Sequence, residues 1–186
     1  MTATANAGFV LAGGRSSRMG RDKALLEFHG ATLLEVAARK LRQVVPAVTI
    51  VGPPQRYGHL GWPVIPDLVD GCGPLGGLYT ALSNTAAEWN LVLACDMPAV
   101  TPETLRALLQ AAPNCGCDAL VPETAAGWEP LCAVYHRRLA PALGSAIQRK
   151  LFKMQEFVSK IGACPWPAPD AALFANLNTP EEAART

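Results

Sequence analysis

Two stretches of the chain hold residues able to act together on one ligand. In the first, Phe9-Val10-Leu11-Ala12 runs into adjacent Gly13 and Gly14, then into Arg15, Arg18, Arg21 and Lys23, four cations within nine residues against one acid, Asp22. Glycines let the backbone turn at positive φ and approach a ligand closely. Successive N–H groups in such a turn form an anion-binding hollow, and the cations add charge-assisted bonds to phosphate. This suits a triphosphate cradle at the end of the first strand. The plainer alternative is a solvated basic turn. In the second stretch, Leu91-Val92-Leu93-Ala94-Cys95-Asp96-Met97-Pro98 is an apolar run that ends in a carboxylate. Such an acid can hold Mg2+, which takes one or two carboxylates plus substrate oxygens and water. Otherwise Asp96 only caps the loop before Pro98. Asp22 is a weaker metal candidate that could equally pair with Arg21 or Lys23.

The spacing excludes the commoner phosphate loops. No Gly-x-x-x-x-Gly-Lys-Ser/Thr register fits, and Gly13-Gly14 followed by Gly20 is not the dinucleotide Gly-x-Gly-x-x-Gly. Ser16 and Ser17 lack a Gly-x-Ser-x-Gly elbow, and His29, His59 and His136 are scattered, so nucleophilic catalysis has no support.

Four further groups are candidates. Asp67, in Ile65-Pro66-Asp67, could accept from the N1–H and N2–H of guanine or merely stabilise its turn. The glycine-rich turn from Gly71 to Gly77 allows close backbone approach or an ordinary tight start to a helix. Asn176 and Asn178 in Asn176-Leu177-Asn178-Thr179-Pro180 offer amides that donate and accept toward a polar heterocycle, or are simply turn formers before a capped helix. Arg137, Arg138, Arg149, Lys150 and Lys153 could meet an anionic second substrate or form a solvated face.

Short apolar runs that must position these residues alternate with helical patterns. Strands are predicted at 8–12, 48–51, 64–65, 91–95, 119–121 and 131–135, with a last short one near 173–177. Their apolar character on both faces fits a parallel sheet covered by helices. Helices are predicted at 32–45, 75–87 and 102–112, with one or two basic helices over 137–161 and a proline-rich loop at 163–170. In the first helix Leu34, Ala37, Ala38, Leu41 and Val45 form the apolar stripe, Glu35, Arg39, Lys40 and Arg42 face water, and Thr32 with Glu35 reads as a capping box. Thr101-Pro102 and Thr179-Pro180 each read as a cap followed by proline at the first helical position. The alternation points to a doubly wound α/β sandwich, whose ligands sit at the carboxyl ends of strands.

With 186 residues, the chain is expected to form one domain over 1–186. A net charge of +1 argues against general nucleic-acid binding. The start lacks a basic segment followed by a long apolar one, and no apolar run reaches the ~18 residues of a membrane span. A cytoplasmic protein with mostly buried thiols is the expectation for Cys72, Cys95, Cys115, Cys117, Cys132 and Cys164. Cys115-x-Cys117 has no second pair at zinc-ligand spacing and reads as a turn beside Gly116.

Taken together, Leu11-Ala12-Gly13-Gly14-Arg15-Ser16-Ser17-Arg18-Met19-Gly20 with Asp22-Lys23, Gly73-Pro74-Leu75-Gly76-Gly77, Cys95-Asp96-Met97-Pro98, Glu129-Pro130-Leu131 and Asn176-Leu177-Asn178-Thr179-Pro180-Glu181 resemble the molybdenum cofactor guanylyltransferase family. The resemblance spans nearly the whole chain. It implies a three-layer α/β/α, Rossmann-like nucleotidyltransferase fold with a mostly parallel central sheet. It also implies Mg2+-dependent transfer of GMP from GTP to the terminal phosphate of molybdenum-molybdopterin. By resemblance Leu11, Ala12, Gly13, Gly14, Lys23, Asp67, Gly77 and Asp96 bind the nucleotide, Asp96 holds the metal, Arg18, Lys23 and Asp96 are catalytic, and Asn176 and Asn178 bind molybdopterin. Transient contact with cofactor-assembly proteins or molybdoenzyme chaperones follows from the same source. Relatives using CTP commonly have alanine where Gly13 stands. Where the family often has an asparagine after the second strand, this chain runs Val51-Gly52-Pro53-Pro54, so that contact is missing or made by backbone. The rival readings are CTP with molybdopterin, a nucleoside triphosphate with a sugar phosphate, or a regulator that binds GTP without turnover.

Overall fold

The computed structural model describes residues 6–12 and 22–177. In chain order the elements are β1 (Asn6–Leu11), β2 (Glu27–Phe28), β3 (Ala31–Thr32), α1 (Leu33–Arg42), β4 (Val48–Val51), α2 (Pro54–Tyr57), β5 (Val64–Ile65), α3 (Gly73–Ser83), β6 (Trp89–Ala94), α4 (Pro102–Ala111), β7 (Ala119–Thr124), β8 (Gly127–Trp128), β9 (Cys132–His136), α5 (Ala140–Gln148), α6 (Met154–Lys160) and β10 (Cys164–Pro167). The main sheet has the order β10-β7-β9-β6-β1-β4-β5, with β8 paired to β7. Every pairing along β6-β1-β4-β5 is parallel, β9 runs against its neighbours β6 and β7, and the short β8 runs against β7.

Strand side chains alternate between two cores. Val10, Ile50, Leu91 and Leu93 pack with Leu34, Leu41, Leu105 and Leu108 from α1 and α4. Phe9, Leu11, Val51 and Val92 pack with Leu75, Leu78, Leu143 and Phe157 from α3, α5 and α6. This is the expected three-layer sandwich, and burial on both faces explains the uninterrupted apolar runs. The Thr32–Glu35 capping box forms as predicted, and Thr101 accepts from the Thr104 N–H with Pro102 opening α4.

Four expectations are corrected. Residues 173–177 do not form a strand: Ala171–Phe174 is a 3-10 turn capped by Asp170. The last strand is instead β10, inside the predicted proline-rich loop. Pro165 and Pro167 have no N–H to donate, which is tolerated because β10 is the sheet's outer strand. Lys40 does not simply face water. Its ammonium donates to the Pro98 carbonyl, and burial lowers its pKa. The thiols are not all reduced and buried: Cys117 and Cys164 form a disulfide. The 137–161 segment resolves into a 3-10 turn (Arg137–Leu139), α5 and α6. The predicted helix after Thr179 lies outside the described residues. Among the described residues, no helix is long and apolar enough to cross a membrane.

Candidate active site

Strand register brings the chemistry to one edge. Leu11 pairs with both Val51 and Ala94, and Val51 pairs with Ile65. The chain therefore leaves β1, β4, β5 and β6 at the same level of the sheet. The ladder continues one step further, with Ala12 N–H donating to Val51 O (3.0 Å) and Gly52 N–H to Ile65 O (2.9 Å). Beyond it come Ala12, the Gly52-Pro53-Pro54 turn, Asp67 and Asp96. Antiparallel β9 adds a fifth contribution. Its amino end meets the carboxyl end of β6, where Ala94 N–H donates to Leu131 O (2.7 Å), so residues 129–131 reach the same edge.

Three adjoining clefts lie along this edge. The middle one, about 210 Å3, is lined by Leu11, Ala12, Asp22, Lys23, Pro74, Cys95 and Asp96 among others. In it Lys23 Nζ lies 2.8 Å from Asp96 Oδ2, and both side chains are about four-fifths covered, at 21% and 24% exposure. Asp22 lines the same cleft. It accepts from the Ala24 N–H (3.1 Å), from Arg56 (3.3 Å) and from the Tyr57 hydroxyl (2.9 Å), so its cation partner among the described residues is Arg56. Burial pushes the neighbouring Cys95 thiol up to about 12, with the Asp96 charge adding to the effect. At neutral pH it is a thiol, not a nucleophilic thiolate.

A second cleft, about 440 Å3, shares Ala12 with the first and is lined by Pro53, Pro54, Arg56, Tyr57, Pro66, Asp67 and Asp70. Burial raises the Asp67 pKa and the Asp70 charge raises it further. Gly77 stands behind Asp67: a Cβ there would lie 3.3 Å from Leu11 Cδ2 and 3.8 Å from Asp67 Oδ1. The third cleft, about 400 Å3, shares Pro74 and Leu131 with the middle one and is lined by Glu129, Phe152, Lys153, Gln155 and Asn176. Burial raises the Glu129 pKa, partly offset by the Thr124 hydroxyl that donates to it. Leu177 N–H donates to Asp96 O (2.8 Å), which fixes Asn176 beside the metal candidate.

The family model described as "MobA-like NTP transferase domain" matches residues 8–161. The chain belongs to this family. The transferase is 39% identical over 181 residues to a probable molybdenum cofactor guanylyltransferase of Nostoc sp., with 94% of this chain and 87% of the relative covered. Among solved structures it is similar to molybdopterin-guanine dinucleotide biosynthesis protein A from Archaeoglobus fulgidus, at a TM-score of 0.81 and 28% identity over 96% of this chain and 95% of that one. A Mycobacterium tuberculosis protein solved in complex with manganese shares the fold at a TM-score of 0.71 and 21% identity, covering 99% and 98% of the two chains. The transferase's predicted Leu11, Ala12, Lys23, Asp67, Asp96 and Asn176 line the three clefts, and Gly77 lies behind Asp67. Gly13, Gly14, Arg18 and Asn178 fall outside the described residues.

Two positions of the transferase were invisible in sequence. Tyr57, only 1% exposed, has one O–H proton shared between two acceptors, Ala12 O and Asp22 Oδ2, each 2.9 Å from the hydroxyl oxygen. It thus ties together the two residues that flank 13–21. Gly52 makes room for it: a Cβ at Gly52 would lie 2.8 Å from the Tyr57 ring. The departure from the family's asparagine therefore coincides with a tyrosine packed on the same turn. Thr80, fully buried, accepts from the Leu68 N–H and donates to Gly76 O, each at 2.9 Å, holding the Asp67 loop on α3. Only the aromatic of a proline-flanked turn and a threonine within an apolar helix marked these positions.

Proposed function

We propose that the protein transfers GMP from GTP to the terminal phosphate of molybdopterin carrying molybdenum, forming the guanine dinucleotide and pyrophosphate, with residues 1–186 acting as one domain. The observation that carries the reading is the order of the clefts: Asp67's pocket, the Lys23–Asp96 pair, then the pocket of Asn176, joined through Ala12 on one side and Pro74 and Leu131 on the other. A base, a phosphate chain and an acceptor fit in that sequence.

In this reading Asp67 accepts from guanine N1–H and N2–H, and Gly77 and Leu11 close the space behind it. Lys23 and, from 13–21, Gly13, Gly14 and Arg18 hold the phosphates as pyrophosphate departs. Asn176 and Asn178 meet the pterin, while Lys153 meets the acceptor's negative charge and Phe152, 41% exposed, offers an apolar surface. An acceptor phosphate oxygen bonds to the α-phosphorus in line while the bond from that phosphorus to the β-phosphate oxygen breaks, and pyrophosphate takes the electron pair. The nucleophile is already an anion, so no general base is needed. The chain's contribution is positioning and charge neutralisation.

A divalent metal fits the donor set, because carboxylate oxygens of Asp96, with Asp22 lining the same cleft, suit a hard cation. Mg2+ held by Asp96 would neutralise charge developing on the phosphate oxygens. A cytoplasmic location and transient contacts with cofactor-assembly proteins or molybdoenzyme chaperones go with this assignment.

The decisive test supplies purified protein with Mg2+, GTP and molybdopterin. Pyrophosphate release that depends on molybdopterin, with a product heavier by GMP, is expected. Transfer from CTP in preference to GTP, or tight GTP binding without release, would replace this reading by one of its rivals. Changing Asn176 and Asn178 together should spare GTP binding and impair use of molybdopterin.

A further inference from the structure

The amino edge of the sheet, opposite the three clefts, carries a cluster that nucleotide transfer does not use. Cys115 and Cys117 precede β7 and Cys164 opens β10. Their sulfurs lie within 4.8 Å of one another, and all three residues are partly exposed. Cys117 and Cys164 are disulfide-bonded with Cα atoms 5.9 Å apart, and Cys115 keeps a free thiol. Between the first two, Gly116 takes a left-handed φ of 78°. A Cβ there would meet nothing within 4 Å, so the backbone conformation, not space, calls for glycine. That turn aims the Cys117 N–H at Cys115 Sγ, 3.4 Å away. Cys164, 47 positions beyond Cys117 in the chain, completes the group, its Sγ 3.0 Å from the Cys115 carbonyl oxygen.

We propose that, with the disulfide reduced, Cys115, Cys117 and Cys164 bind one Zn2+ through three thiolates, leaving water in the fourth position. Zinc–sulfur bonds of about 2.3 Å in a tetrahedron place sulfurs ~3.8 Å apart, a spacing the cluster reaches once the Cys117–Cys164 bond opens. Three sulfur donors select a thiophilic ion over Mg2+, which prefers oxygen. The site is thus chemically separate from Asp96. The balance is simple. A dithiol reductant gives two electrons and two protons to the disulfide and becomes a disulfide itself. Three thiols then release three protons to solvent as three Zn–S bonds form. Disulfide and zinc exclude each other, because the same two sulfurs serve both. Either state fastens β10 to the turn before β7, where Pro165 and Pro167 leave β10 with few donors of its own.

The test uses the whole chain, reduced with a phosphine under anaerobic conditions, with excess Mg2+ to occupy carboxylates. Titration with Co2+ should give a sulfur-to-cobalt charge-transfer band that saturates at one equivalent and is bleached by Zn2+. Oxidation to the disulfide should abolish the band. C115S, which leaves both disulfide cysteines intact, and C164S should each lose it, while C72S, at a buried cysteine elsewhere, keeps it. GTP binding by C115S checks that the variant is folded. Absence of the band in the reduced chain, or its persistence in both C115S and C164S, would overturn the assignment.

Discussion

The clefts around Asp96 and Asp67 are built from the same part, a carboxylate just beyond a parallel strand, yet they present it differently. Asp96 faces an ammonium 2.8 Å away, so its charge is compensated and available to a cation or to phosphates that take over Lys23. Asp67 has another acid, Asp70, as the charge that most affects it, and burial raises its pKa. A compensated carboxylate suits charge handling. A carboxylate with no ion pair among the described residues suits neutral N–H donors, which repay its desolvation only when they arrive. Placement at a strand end therefore locates both groups, and the neighbours decide what each is for.

The strongest way to break this contrast is D96A. Transfer should fall by ~10²–10³ or more, the loss of roughly 3–4 kcal/mol of transition-state stabilisation, measured as molybdopterin-dependent pyrophosphate release. Near-normal turnover would remove Asp96 from the chemistry. D67N should act on binding: GTP affinity, measured by calorimetry, should drop by ~10–100-fold, the worth of hydrogen bonds to a charged group. Its effect on stability should have the opposite sign. A carboxyl held above its usual 3.8 stabilises the fold below that value, and this contribution is lost as pH rises through the folded pKa. At neutral pH D67N should thus melt higher than wild type, with the gap closing in acid. Lower stability at every pH would mean that Asp67 is a structural turn residue.

Y57F probes the join between the two clefts. Losing a buried hydroxyl with two acceptors should cost about 1–2 kcal/mol of stability and raise the KM for GTP more than it lowers kcat. An equal change in both would place Tyr57 in the chemical step. T32A is the smallest and a control. It removes the α1 cap for about 1 kcal/mol and should leave transfer kinetics unchanged once the protein is folded. A kinetic defect there would show that the clefts respond to any loss of stability, which would weaken the contrast between them.

Much of this architecture was legible before any coordinates. β4 and β5 match their predicted bounds because Val48–Val51 and Val64–Ile65 are short apolar runs between turn residues. The α1 stripe and its cap follow from helical spacing alone. Lys23, Asp96 and Asp67 stand out because each interrupts or follows an apolar run with a charge. The misses have one cause. Cys164–Pro167 reads as loop, since its prolines oppose a strand locally and only an empty sheet edge beside β7 accepts them. The 173–177 run is apolar enough for a strand, but Asp170 caps a 3-10 turn over Ala171–Phe174 and the Leu177 N–H bonds to Asp96 O instead.

Sequence alone determined which residues lie inside and which segments turn, because burial periodicity and capping are local properties of the chain. It also marked the family through motifs that are contiguous. The tertiary structure decided what touches what: that Tyr57 bridges Ala12 and Asp22, that Asp22 pairs with Arg56, that antiparallel β9 brings residues 129–131 to the edge of the clefts, and that Cys164 joins Cys115 and Cys117. These contacts link residues far apart in the chain. Pairing of that kind is set by strand register and sheet order, which no local pattern encodes.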